Sequence, residues 1–190
     1  MRTINGRLFL GLLLGSALLA GSLFLLHRFQ RDRIATALLF QAKKAEEDGN
    51  LSRSASYRQR YLDFNKTDYS EMAALAKMWA GDGLTTPLRD RQRAVALLDK
   101  VLTNVDDREL RLLMVKTSMS VRDFILARDH LSKLLPPERL QEAIVALRQN
   151  NPLTPENPTE RGQLECYWGQ LLEAEKKPLE ALDCYRLALR

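Results

Sequence analysis

Residues 168–188 read WGQLLEAEKKPLEALDCYRLA, and the way large and small residues alternate there decides the fold. Trp168 stands beside Gly169, and Leu172 follows at helical spacing; Ala181, Tyr185 and Ala188 then repeat the pattern at steps of four and three. A small residue where two antiparallel helices cross lets them approach, while bulky neighbours fill the gap beside it and face whatever packs next. The spacing therefore predicts a helical hairpin, and such a hairpin has an apolar face left to bury.

The same arrangement recurs upstream. Small residues that would open a second helix fall at Ser54, Ala94, Ala127 and Ala181, separated by 40, 33 and 54 positions. Each is followed by bulky positions: Tyr61; Leu98 and Val101; Leu131 and Leu134; Tyr185. Between them, Ala37, Leu38, Ala42 and Ala45 recur at helical steps and are stopped by Gly49. Ser54 to Leu62 is periodic and ends before the turn-like Asn65-Lys66-Thr67-Asp68, and Met72, Leu75, Ala76 and Trp79 form the next face before Gly81-Asp82-Gly83. Alternating or β-branched runs are absent, so the fold class is all-α.

On these residues the chain resembles the tetratricopeptide repeat, a helix–turn–helix unit of about 34 residues. Trp168-Gly169, Leu172, Ala181, Tyr185 and Ala188 occupy the family's motif positions, and Arg60-Tyr61-Leu62 resembles the second helix of repeats in membrane-anchored bacterial proteins. The resemblance implies an α-solenoid with units over 35–67, 69–105, 109–136 and 161–190. Three units depart from the pattern. The first has Gln41 and Arg58 at apolar positions, the second carries a six-residue insertion including Leu84-Thr85-Thr86-Pro87, and the third keeps Leu112, Val115 and Met119 but sets Lys116 at the small crossing position. Between the third and last units, Pro136-Pro137 followed by Leu140, Ala143, Ile144 and Leu147 reads as a proline-initiated helix. Asn150-Asn151-Pro152 through Pro158 reads as a stiff linker, so 137–160 forms an extra element.

Upstream of the array, Leu8 to Leu26 runs nineteen residues without a charge, close to the length that spans a hydrocarbon core of about 30 Å. Residues 1–33 are therefore expected to form a membrane anchor. A cleaved signal peptide would end near Ala20-Gly21-Ser22, but Leu23-Phe24-Leu25-Leu26 continues the apolar run. Ser22 stands where a lipoprotein would carry its cysteine, which excludes lipidation there. Gly11 and Gly15 form the G-x-x-x-G spacing found where two spanning helices pack, but small residues are also common in spanning helices that do not pair.

Charge is distributed accordingly. The 190-residue chain has a formal net charge of +5, but residues 1–44 hold seven basic residues against Asp32 alone, leaving 22 basic and 23 acidic residues in the body. A nucleic-acid protein would carry the excess on its folded part, so nucleic acid is not an expected partner. Arginines on both flanks, Arg2 and Arg7 against Arg28, Arg31 and Arg33, leave the orientation open.

Chemistry is sparse. His27 and His130 have no nucleophile or glycine-rich turn beside them, and Cys166 and Cys184 stand on two helices of one hairpin without zinc-ligand spacing. Asp63-Phe64-Asn65-Lys66-Thr67 starts like a calcium loop, but Asp68 replaces the glycine and Ala74 the chelating glutamate. Asn65-Lys66-Thr67 is a glycosylation triplet only in a eukaryotic secretory lumen, and Asn157-Pro158-Thr159 is barred by its proline. Trp79 and Trp168 read as packing residues. No enzyme activity, cofactor, metal or small-molecule substrate is expected.

The resemblance implies a membrane-anchored scaffold for protein–protein interactions, in the bacterial inner membrane, whose groove runs along the first helix of each unit. Carried over, that groove includes Ser70, Ala73 and Lys77 in the second unit and Gln163, Cys166, Gln170 and Glu173 in the last. It is not uniformly basic, which disfavours capture of a terminal carboxylate. The alternative is the anchor and opening repeats of a larger protein: Arg190 follows Ala188 before a turn or polar capping helix, so more chain or a partner is expected to cover that end.

Overall fold

The computed structural model describes residues 6–81, 86–149 and 158–189. Every secondary-structure element among them is α-helical: α1 (Gly6–Glu47), α2 (Leu51–Phe64), α3 (Tyr69–Ala80), α4 (Leu88–Leu102), α5 (Arg108–Ser120), α6 (Phe124–Leu134), α7 (Pro137–Arg148), α8 (Pro158–Ala174) and α9 (Pro178–Ala188). The chain divides into two compact units, Met1–Asp68 and Tyr69–Arg190. The insertion residues Leu84 and Thr85, the linker from Asn150 to Asn157, and Arg190 lie outside the described residues.

The first unit is a long helix with a shorter one folded against its end. α1 is unbroken over 42 residues, roughly 63 Å at about 1.5 Å per residue, and is long and apolar enough to cross a membrane. The boundary expected after Arg33 therefore falls inside a continuous helix. Ala35, Ala42 and Ala45 are buried where α2 packs through Ser54, Ala55 and Leu62, a seam of small side chains that permits close approach. Gln41 is exposed, whereas Arg58 is buried and its guanidinium reaches Glu46 Oε2 at 2.5 Å. An arginine thus occupies an apolar position because a carboxylate one helix away neutralises it.

Gly49 ends α1 with a φ of +74°, donating to the Glu46 carbonyl, while Asn50 N–H reaches back to the Ala45 carbonyl. Asn50 then caps α2 by accepting from Arg53 N–H at 3.1 Å.

That turn is used twice more in the second unit. Arg122 and Lys176 sit at φ of +62° and +63°, and the residue after each donates back across the turn, Asp123 to Ser118 and Lys177 to Leu172. The three-residue connections make α5 with α6, and α8 with α9, antiparallel hairpins like α1 with α2. α3 and α4 form another pair.

The expected crossing residues are buried: Ala94, Ala127 and Ala181 are at most 2% exposed. At Gly169 an added Cβ would lie 2.5 Å from Tyr185 Cε1, so the glycine is required by the tyrosine ring packed on it. Lys116 does not occupy the crossing position; it is exposed, and Met114, Val115 and Ser118 are fully buried. Val115 joins the core with Ala127, Leu131 and Trp168, and Leu112 and Met119 pack against it as the motif spacing expects, while Lys116 faces solvent.

α7 is the helix that proline initiates, and Leu140, Ala143, Ile144 and Leu147 are its buried face. It lies against α9 and leaves α6 in direct contact with α8, so α5 touches both α3 and α8. α8 begins at Pro158, inside the span expected to be linker.

Candidate partner-binding surface

Helical spacing separates the two faces of α3. Burial of Met72, Leu75, Ala76 and Ala80 turns Ser70, Ala73 and Lys77 to the other side. These three line a groove of about 410 Å³, closed by Val101 in the last turn of α4, Val105 just after it, and Asp107 and Leu110 at the start of α5. Its wall is apolar, and a cation and an anion stand at its rim. Lys77 Nζ lies 3.2 Å from Glu109 Oε2, with both side chains at least half exposed, so this pair is screened and readily exchanged for a partner's charge.

On α8, Leu164, Trp168, Leu171 and Leu172 are buried, leaving Gln163, Gln170 and Glu173 exposed and Cys166 half-buried on the opposite side. Gln170 Nε2 donates to Cys166 Sγ at 3.9 Å. Tyr185 Oη donates to Glu173 Oε2 at 3.0 Å, and desolvation together with that carboxylate pushes the phenol up to about 12.

The two expected groups are thus each brought to one helix face but do not converge into one pocket, because α5 lies between α3 and α8. Ion pairs tie these helices together: Lys77 to Glu109, and Arg108 Nε to Glu160 Oε1 at 2.8 Å.

Sequence reasoning missed a second cleft, of about 500 Å³, where α6, α7, α8 and α9 meet. Ile125, Arg128, Gln141 and Glu180 line it. Ile125 is 87% exposed, an apolar side chain in the first turn of α6 and the only local signal for this cleft. Trp168, at its base, is a packing residue: it is buried, donates its indole N–H to the Leu135 carbonyl at 3.1 Å and carries Arg128 over its ring at 5.9 Å.

The buried titratable groups are held in their neutral or paired forms. Arg111 Nη1 lies 3.2 Å from His130 Nδ1; a guanidinium only donates, so Nδ1 accepts and Nε2 bears the proton. Burial, then Lys133, lower the imidazole's pKa, against the opposing pull of Asp129. Burial, then Glu165, Asp183 and Glu180, push the Cys184 thiol up to about 11, the reverse of what a nucleophilic cysteine requires. Burial also raises Glu165, opposed by Arg161 Nε at 2.9 Å. Among the described residues no three of His, Cys, Asp and Glu converge on a point where a metal could bind.

No protein-family model matches the chain, and no curated protein matches it.

Proposed function

We propose that the chain is a non-catalytic scaffold of tetratricopeptide-like helical hairpins, tethered by α1 as a single-pass anchor in a bacterial inner membrane, that holds an extended segment or helix of a partner protein along α3, α5 and α8. The observation that carries this reading is the groove formed by Ser70, Ala73 and Lys77 against the start of α5, apolar in its wall and charged at its rim. Such a surface suits main-chain and apolar anchoring of a peptide, with the rim charges selecting among partners.

The recurrence of one turn geometry at Gly49, Arg122 and Lys176 supports a repeat origin. So do the buried small residues Ser54, Ala94, Ala127 and Ala181, and the succession of α3, α5 and α8 as neighbouring first helices. α7 in this reading is an insertion parked on the side of the last hairpin. Stacking is the physical requirement behind it, since a single hairpin leaves an apolar face uncovered.

The test is affinity capture from solubilised membranes with the native chain and with Lys77→Glu, Gln170→Ala and Glu173→Lys variants. Partner recovery should fall several-fold while helicity by circular dichroism is unchanged. Undiminished recovery by all three variants would remove this groove from consideration.

A further inference from the structure

Along α1, Gly11, Gly15, Leu18 and Ser22 are repeated eighteen positions later by Phe29, Arg33, Thr36 and Phe40. At about 3.6 residues per turn, eighteen residues complete about five turns, so both sets share one strip roughly 60° wide. α2 packs on Ala35, Ala42 and Ala45, on the far side of the helix, and leaves the strip uncovered. Phe29 and Phe40 are 67% and 69% exposed, and a Cβ added at Gly11 or Gly15 would meet nothing within 4 Å. A shallow groove of about 690 Å³ runs along the strip from Phe29 to Phe40.

We propose that this strip is the contact surface for a second copy of the same chain, forming a parallel α1–α1 pair. Charge complementarity selects this occupant. Asp32 borders the strip on one edge and Arg33 on the other, at the same height. In a parallel pair about a twofold axis, each edge meets the opposite edge of the other helix, so Asp32 faces Arg33 of the partner subunit and the pairing occurs twice. Toward the N-terminus the glycines and Ser22 permit close backbone approach; Phe29 and Phe40, on either side of the charged level, fill a wider gap.

Lipid cannot supply the cover for the whole strip. This step rests on reading α1 as a membrane span. Phe40 lies fourteen residues beyond Leu26, about 21 Å along the axis, whereas a headgroup layer is only about 5–8 Å deep.

The test uses the full chain with Cys166→Ser and Cys184→Ala, reconstituted in vesicles of phosphatidylethanolamine and phosphatidylglycerol and treated with a mild oxidant. Phe29→Cys and Phe40→Cys should each give disulfide-linked dimer, roughly tenfold more than Gln41→Cys, whose exposed side chain points about 110° away from the strip. Asp32→Arg in the Phe40→Cys chain should lower the yield roughly three- to tenfold, and adding Arg33→Asp should restore it. Equal yields at Gln41→Cys and Phe40→Cys, or no rescue by the double exchange, would overturn the proposal. Carbonate extraction of the same vesicles tests the membrane reading separately: strip-specific dimer on extractable protein would refute the anchor and uphold the pairing.

Discussion

Gly169 and the ring of Tyr185 are so closely apposed that a methyl group on the glycine would stand 2.5 Å from Cε1 and 2.8 Å from Cδ1. This contact joins α8 to α9 and fixes how closely the last hairpin closes. It also explains why Tyr185 can reach Glu173 with its hydroxyl.

Gly169→Ala should therefore destabilise the second unit by about 1–3 kcal/mol, the usual penalty for overfilling a packed contact. The tyrosine must swing away, breaking its bond to Glu173. Adding Tyr185→Leu should recover part of the loss, because the shorter side chain vacates the space. Urea midpoints of the single and double variants measure both effects; a neutral Gly169→Ala chain would show that the hairpin can open without cost.

Arg122 and Lys176 adopt the left-handed backbone that Gly49 adopts in the equivalent turn. A side chain there costs about 1–2 kcal/mol in backbone strain, partly offset by the extra unfolded-state freedom of glycine. Arg122→Gly and Lys176→Gly are expected to stabilise by about 0.5–1 kcal/mol each, and Gly49→Ala to destabilise by about 1 kcal/mol. Thermal midpoints should move in these opposite directions.

His130 makes stability depend on pH. Its imidazole is held neutral by burial and faces Arg111, Lys133, Asp129 and Asp99, so its folded-state pKa lies below the ordinary value of 6.5. Below about pH 6.5 the unfolded chain takes up a proton that the folded chain resists, so stability falls as the pH drops through this range and is fully present above it. His130→Gln retains an acceptor for Arg111 and should flatten the stability profile between about pH 5 and 7. An unchanged slope would assign the dependence to other groups.

The two cysteines should differ in reactivity. Cys184 is fully buried and its thiol is pushed up to about 11, whereas Cys166 is half-buried on the open face of α8. Maleimide at neutral pH should label Cys166 in the folded chain and reach Cys184 only after denaturation, as mass spectrometry of the peptides would show. Equal labelling rates would mean that α9 separates readily from α8.

Much of the fold was legible because its signals are local. Gly49 as a stop, Pro137 as a start, the apolar run to Leu26 and the small residues at Ala94, Ala127 and Ala181 each act through backbone geometry or spacing within one or two helices. The errors have a common origin. Lys116 stands at the motif's small position yet faces solvent, because the contacts of Leu112, Val115 and Met119 with the core, rather than the motif spacing, decide how closely α5 is approached there. Arg58 looked misplaced because its neutralising partner, Glu46, lies on another helix. Ser70, Ala73 and Lys77 share one face of α3 by helical spacing, but nothing local says which residues of the next helices close the groove beside them.

By itself, the sequence determined that the chain is helical, the turns at Gly49 and before Pro137, the apolar faces of α3, α4, α7 and α9, and that one helix is long and apolar enough to cross a bilayer, but not that α1 runs unbroken past Arg33 or that α8 begins at Pro158. The tertiary structure alone decided that α7 steps aside so that α6 meets α8, that Val105, Asp107 and Leu110 complete the groove begun by Ser70, Ala73 and Lys77, and that the strip opposite α2 stays open. Periodicity arises from about 3.6 residues per turn and is written into neighbouring residues; the choice of packing partner depends on contacts between residues far apart in the chain, which no short window contains.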